Sequence, residues 1–223
     1  MNTNYSNLLC FLLVLFTSVN AIEKTKPHFW EEAETARWLV HENIWGSVAT
    51  ISVRMEGLPF VQPKSFSDGN ETTSTGNLYF YESALDESMK DIETNSVVSF
   101  SVSAASLGHC IPTAHTDPEN PTCAKATFTG TFELVTDEQE RELAKDALFS
   151  RHPMMPTWPH DFDFYTIRIK SIWLIDIYGG AKEVDPMDYY SVELKEISKF
   201  NRVLDVQNVH ESNEARSAAA YIH

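Results

Sequence analysis

Four stretches of this chain alternate apolar and polar residues with a period of two, and that pattern leaves few folds open. Ala49, Ile51, Val53 and Met55 alternate with Thr50, Ser52 and Arg54; Val98, Phe100, Val102 and Ala104 alternate with Ser99, Ser101 and Ser103. Ala126, Phe128, Phe132 and Leu134 alternate with Lys125, Thr127, Thr131 and Glu133, while Tyr165, Ile167, Ile169, Trp173, Ile175 and Ile177 share one parity. Successive side chains of a strand point to opposite faces, so each stretch predicts a strand with one face in a core. Shorter strands are expected at Pro59 to Phe66 and Leu78 to Tyr81. Helical spacing interrupts them in three places. A first helix is expected from about Trp30 to Asn43, with Glu31, Glu32 and Glu34 in its first turns and Trp45-Gly46 after its end. Ser83 can cap a second, whose apolar face is Leu85, Met89 and Ile92. Thr136 and Gln139 form a capping box for a third, with Leu143, Ala144, Ala147 and Leu148 on one face. Many alternating strands with few helices predict a mainly β (α+β) domain, an antiparallel barrel with peripheral helices.

The flanks read differently. Leu8 to Phe16 is an uncharged apolar run, followed by the small residues Val19-Asn20-Ala21. The run is far short of the roughly 20 residues needed to span a bilayer and fits a secretory signal over residues 1–21; a buried N-terminal element is the alternative. The domain is expected over 22–192. Residues 193–223 alternate acids and bases, hold few aromatics and form a tail, helical or disordered. No other run is long enough for a membrane span. With Cys10 in the signal, Cys110 and Cys123 remain as an even pair, which in an oxidising compartment closes a disulfide. A metal site recruiting His109 and His115 is the alternative, but the spacing matches no zinc motif. Asn70-Glu71-Thr72 is a glycosylation sequon in a polar loop. A formal net charge of −15 repels phosphate backbones, so no nucleic-acid partner is expected.

Several blocks stand in a fixed order along the predicted barrel. They are Trp45-Gly46 with Val48-Ala49-Thr50-Ile51-Ser52, Phe66-Ser67-Asp68-Gly69, Tyr79-Phe80-Tyr81, Cys110 and Cys123 around a proline-bearing loop, and Arg151-His152-Pro153 with Thr157-Trp158-Pro159. Ile172-Trp173, Asp176, Tyr178-Gly179-Gly180 and Asp188-Tyr189-Tyr190 complete the series. Over roughly Glu31 to Val192 this series resembles the CREG (cellular repressor) family. The resemblance implies an FMN-binding split barrel related to the pyridoxamine-phosphate oxidases. It also implies a homodimer and a secreted or endolysosomal glycoprotein without known catalysis, with an unidentified cell-surface or lysosomal protein partner.

In the related oxidases an Arg-Lys pair holds the flavin phosphate, and by resemblance that pair falls here on Glu87 and Ser88. A dianionic phosphate needs cations or helix N-terminal amides. No cofactor is therefore expected, Lys64 and Lys90 being read as surface lysines and the Cys110–Cys123 loop as the segment that fills the pocket. Family members carry further sequons where this chain reads Val135-Thr136-Asp137, Lys170-Ser171-Ile172 and Tyr190-Ser191-Val192; receptor capture through glycans at those places is not expected. The chain has no P-loop, dinucleotide glycine pattern, HExxH or GxSxG motif. Arg151-His152 beside Trp158 is a candidate surface cluster, with a packed barrel loop as the favoured alternative. Two functions follow: a non-catalytic glycoprotein acting through protein–protein contacts and influencing cell growth indirectly, and, as the rival, a flavin- or haem-dependent oxidoreductase.

Overall fold

The computed structural model describes residues 26–194 apart from Glu71 and Ala114. The signal expected at 1–21 and all but the start of the tail lie outside these residues. The chain enters through helix α1 (Glu32–Glu42) and continues with strands β1 (Trp45–Ile51), β2 (Pro59–Ser65) and β3 (Leu78–Glu82). Helix α2 (Glu87–Thr94) precedes β4 (Val97–Ser103) and β5 (Lys125–Leu134); helix α3 (Glu138–Arg151) precedes β6 (Asp163–Ile175), β7 (Lys182–Val184) and helix α4 (Pro186–Ser191). All pairings are antiparallel and follow the order β2-β1-β4-β5-β6-β3, with β7 beside β6. The path nearly closes on itself. Just past β2, Ser67 forms a bridge with Tyr79 of β3, each donating its amide to the other's carbonyl at 3.1 and 2.9 Å. A sheet joined by a single bridge at that seam is an antiparallel split barrel, the architecture expected from the sequence.

Its interior is aromatic. Phe100 lies 4.8 Å from Phe66 and 5.3 Å from Phe80, and Phe80 lies 5.1 Å from Phe132, near the edge-to-face and tilted distances that such rings prefer. A second apolar layer lies under α3, where Tyr79, Val135, Ala144, Ala147, Leu148, Met155 and Phe164 pack together. This layer explains why Leu78, Tyr79 and Phe80 are all buried, since β3 is covered on both faces.

The structure corrects two strand faces. In β1 the buried parity is Gly46, Val48 and Thr50, whereas Ile51 and, beyond the strand, Val53 are exposed. The cause is Asp91 of α2, fully buried, which accepts from the Thr50 hydroxyl and the Val53 amide at 2.8 Å each. Two charge-assisted hydrogen bonds inside outweigh the burial of one aliphatic side chain. The strand also ends at Ile51; residues 53–57 form a turn with Glu56 and Gly57 at positive φ. In β6 the shared parity breaks midway. Thr129 pairs with Ser171 but Gly130 pairs with Ile169, so Lys170 is bulged out. One extra residue reverses every later side chain, which buries Ile172 and Leu174 and exposes Trp173.

Two helix starts also differ. Asp86, not Ser83, caps α2 by accepting from the Ser88 amide, and Leu85 is left exposed outside it. Asp137, not Thr136, caps α3 by accepting from the Glu140 amide, and Leu143 faces solvent. Aspartate is at least as good a cap as the hydroxyl residues nearby, so the caps move to the acids.

Cys110 and Cys123 form a disulfide, with their Cα atoms 5.8 Å apart. Both are buried against the main core. Closing a loop of sequence separation 13 stabilises the fold by about 3 kcal/mol in the chain-entropy model. Replacing both cysteines with alanine should therefore lower the thermal midpoint by roughly 6 to 12 °C. Calorimetry checks this, and an unchanged midpoint would refute it.

Candidate functional site

The sequence blocks converge first on a buried polar hub. Asp68 is wholly inaccessible. Its Oδ1 accepts from His41 Nδ1 at 2.9 Å and lies 3.6 Å from Arg151 Nη1; its Oδ2 accepts from the Ser74 hydroxyl. Burial alone would raise the Asp68 carboxyl, but the hydrogen bond and charge of His41, the Ser74 hydroxyl and Arg151 outweigh it and hold it below 3.8. Arg37, also buried, donates to the carbonyls of Tyr189, Val192 and Ser74, and the Tyr189 hydroxyl donates to the Gly76 carbonyl at 2.8 Å. Serine, histidine and aspartate meet here without forming a nucleophilic triad, since Ser74 donates to the carboxylate rather than to the imidazole. The hub ties α1, the loop after β2, α3 and α4 to the barrel.

This placement corrects the expected surface cluster. The Arg151 guanidinium points inward to the carbonyls of His41 and Asn43, at 2.6 and 3.3 Å, and His152 Nε2 meets the Phe66 carbonyl at 3.0 Å. Trp158 alone of the three lines an open cleft. The packed-loop alternative is the correct reading for Arg151 and His152.

That cleft has a volume of about 430 Å³. One wall is aromatic: Tyr81 stacks on Phe162 at 4.9 Å, and Trp158 lies 5.1 Å from Phe162. The lining also holds Lys64, Glu82 and Asp86. Lys64 is buried in β2, with its ammonium 2.7 Å from Glu82 Oε2 and 2.9 Å from Asp86 Oδ1. Gln62 donates to Asp86 Oδ2 at 2.7 Å, and both the amide and the hydroxyl of Ser88 donate to its Oδ1. Burial first, then the neighbouring Asp86 charge, pushes the Glu82 carboxyl up, although Lys64 opposes both. Asp86 is held below its usual range: burial would raise it, but Ser88, Lys64 and Gln62 together lower it further.

Glu87 and Ser88 sit in the first turn of α2, directly after Asp86. Glu87 is engaged by Lys90 at 3.0 Å and by Arg54 at 3.5 Å. Ser88 is fully buried, and its amide at the helix N-terminus is already taken by Asp86. Lys64 is therefore not a surface lysine, which corrects that expectation. No described residue of the Cys110–Cys123 loop lines the cleft; His109 at its start packs 5.9 Å from Trp38 instead. Sequence reasoning set Glu82 and Asp86 near Glu87 and Ser88 as repelling carboxylates, but it missed Phe162 and the pairing of both acids with Lys64. The one available signal was the acid directly after the aromatic run Tyr79-Phe80-Tyr81.

Two further surfaces complete the inventory. Asn70 accepts from the Thr72 amide and hydroxyl at 2.9 and 3.0 Å, and its side-chain amide donates to Asp146 at 2.9 Å. The outer face of the sheet presents Trp45, Ser47, Ala49 and Ile51 of β1 beside Val97, Ser99 and Ser101 of β4 and Thr127 and Thr129 of β5. No charged side chain lies among these positions. Within the described residues no group of three or more histidine, cysteine or acidic side chains is placed to hold a metal, and no helix is long and apolar enough to cross a membrane.

Comparison with known proteins gives concordant results. The family model described as "CREG, beta-barrel" matches residues 27–191. Protein CREG1 of Gallus gallus is 38% identical over 192 residues, which cover 83% of this chain and 98% of the relative. Protein CREG1 of Homo sapiens is 36% identical over 169 residues, or 74% of this chain and 76% of the relative. Among solved structures, a haem binding protein from Mycobacterium smegmatis superposes with a TM-score of 0.57 at 18% identity. That superposition covers 76% of this chain and 62% of the bacterial one. Protein Atu2129 from Agrobacterium tumefaciens gives a TM-score of 0.56 at 17% identity, over 73% of this chain and 62% of the other. At those identities the likeness concerns the fold.

Proposed function

Since the chain belongs to the CREG β-barrel family, we propose that it is a non-catalytic secreted or endolysosomal glycoprotein that acts through protein–protein contacts and holds no flavin. The observation that carries this reading is the ion cluster in the cleft. Lys64, the one lysine or arginine lining it among the described residues, is matched by Glu82 and Asp86, so the cluster is net negative where a dianionic phosphate would need cations. Two charge-assisted contacts are worth about 1.5 to 3 kcal/mol each, and their loss corresponds to roughly two to four decades of affinity. The cleft also has a single histidine, His160, which is exposed and gives haem iron at most one axial ligand there.

Titration of the purified protein with flavin mononucleotide and, separately, with haemin tests the proposal. Neither should saturate at micromolar concentration, and the visible spectrum should remain the sum of its components. Tight saturable binding of either would overturn the non-catalytic reading in favour of the oxidoreductase.

The contact surface proposed for a second copy is the uncharged part of the outer face of β1, β4 and β5, bounded on β5 by Lys125 and Glu133. On a chain of net charge −15, two copies meet with least repulsion where neither presents charge. Ser99→Glu, in the middle of that face, should convert a dimer to a monomer by sedimentation equilibrium without altering the fold. A monomeric parent protein would refute the surface. The disulfide supports an oxidising compartment. Asn70 is the proposed glycan acceptor; modification requires its amide to leave Asp146.

A further inference from the structure

We infer that the cleft is a binding site for a small organic amine, taken up as its primary ammonium. This rests on the reading that the cleft holds no flavin phosphate and assigns it a ligand of the opposite charge. Three observations carry it. The first is chemical balance: one buried ammonium faces two carboxylates, which leaves a net negative charge in a partly enclosed space of about 430 Å³.

The second is a free acceptor. Asp86 is saturated by Lys64, Gln62 and Ser88, whereas Glu82 uses Oε2 on Lys64 and its Oε1 accepts no hydrogen bond among the described residues. The Glu82 side chain is only 9% exposed, and the residue lines the cleft. That oxygen keeps solvent access on the cleft, so an entering ammonium can donate a charge-assisted hydrogen bond to it without displacing Lys64.

The third is the aromatic lining. Tyr81, Trp158 and Phe162 lie within 4.9 to 6.2 Å of one another and present ring surface to the same space. Aromatic faces attract cations and accept apolar bodies, so the wall suits the carbon frame of an amine while Glu82 takes its ammonium. Carboxylate and rings together discriminate against anions and against neutral analogues, because neither reproduces both contacts.

The experiment uses the full-length protein and phenethylamine as the probe, with binding read from the indole N–H signal of Trp158 in an ¹H–¹⁵N spectrum, assigned by Trp158→Phe. Saturable shifts are expected for phenethylamine, with phenethyl alcohol at least roughly tenfold weaker, as loss of a charge-assisted hydrogen bond implies. Glu82→Gln should weaken the amine about tenfold while leaving the alcohol unchanged. Trp158→Ala, at an exposed position whose loss the fold tolerates, should weaken both. An N-acetylated, amidated lysine that binds tighter than phenethylamine would assign the ammonium to a partner's side chain and overturn the free amine as its source. Equal affinity for amine and alcohol, or an amine that does not shift Trp158, overturns the inference and leaves the flavin reading untouched. Saturation by flavin mononucleotide instead overturns the reading on which the inference stands.

Discussion

Asp68→Ala is expected to destabilise the protein by about 3 to 5 kcal/mol, the cost of removing one partner from a buried ion pair. The carboxylate is fully inaccessible, and its loss leaves the buried His41 and Arg151 side chains and the half-buried Ser74 hydroxyl without their anion. The thermal midpoint should fall by roughly 6 to 20 °C. Because the hub joins α1, α3 and α4 to the barrel, the loss should be cooperative rather than confined to one loop. Titration adds a sign-specific test. The Asp68 carboxyl is held below 3.8 in the folded state, so the unfolded chain binds the proton first as pH falls. Its contribution is fully present above about pH 4 and is lost as pH drops through the lower folded value. Asp68→Asn, nearly isosteric, should be less stable at neutral pH and should show a flatter decline of stability below pH 4. A parallel decline in both proteins would show that Asp68 does not govern acid unfolding.

Gly130→Ala carries the second large effect, for a steric reason rather than an electrostatic one. A Cβ at Gly130 would fall on the carbonyl oxygen of Arg168 and lie 2.9 Å from its carbon and 3.0 Å from Ile167 Cγ2. Gly130 sits at the bulge where β5 meets β6, so the obstructing atoms are backbone of a neighbouring strand and have no rotamer to adopt. Overpacking of this kind costs up to about 3 kcal/mol, and a broken ladder hydrogen bond adds about 1. A loss of about 4 kcal/mol is expected in chemical denaturation. Gly179→Ala provides the contrast, with open space around the site and only a positive φ of 122° to penalise it. Should Gly130→Ala match the parent protein, the strands there would have to separate more easily than the pairing implies.

The sequence carried further for the strands than for the site. Each period-two stretch became part of a strand, since alternation reports that one face is buried and the other is not. Which face is buried depended on remote partners. Asp91 drew Thr50 inward, and the bulge at Lys170 reversed the end of β6; neither leaves a mark within the strand it affects. The capping acids were legible but lost to hydroxyl neighbours that match the same motif. Of the blocks behind the resemblance, Asp68, Arg151 and Tyr189 serve the buried hub rather than a surface.

By itself, then, the sequence determined the antiparallel strands, the cysteine pairing and the family, because periodicity, an even cysteine count and an ordered series of blocks are properties of the chain read along its length. Tertiary structure alone decided that Lys64, Glu82 and Asp86, from a strand, a strand end and a helix cap, meet in one cleft. Charge balance at a site is a sum over side chains that folding brings within a few ångströms, and spacing along the chain does not encode that sum.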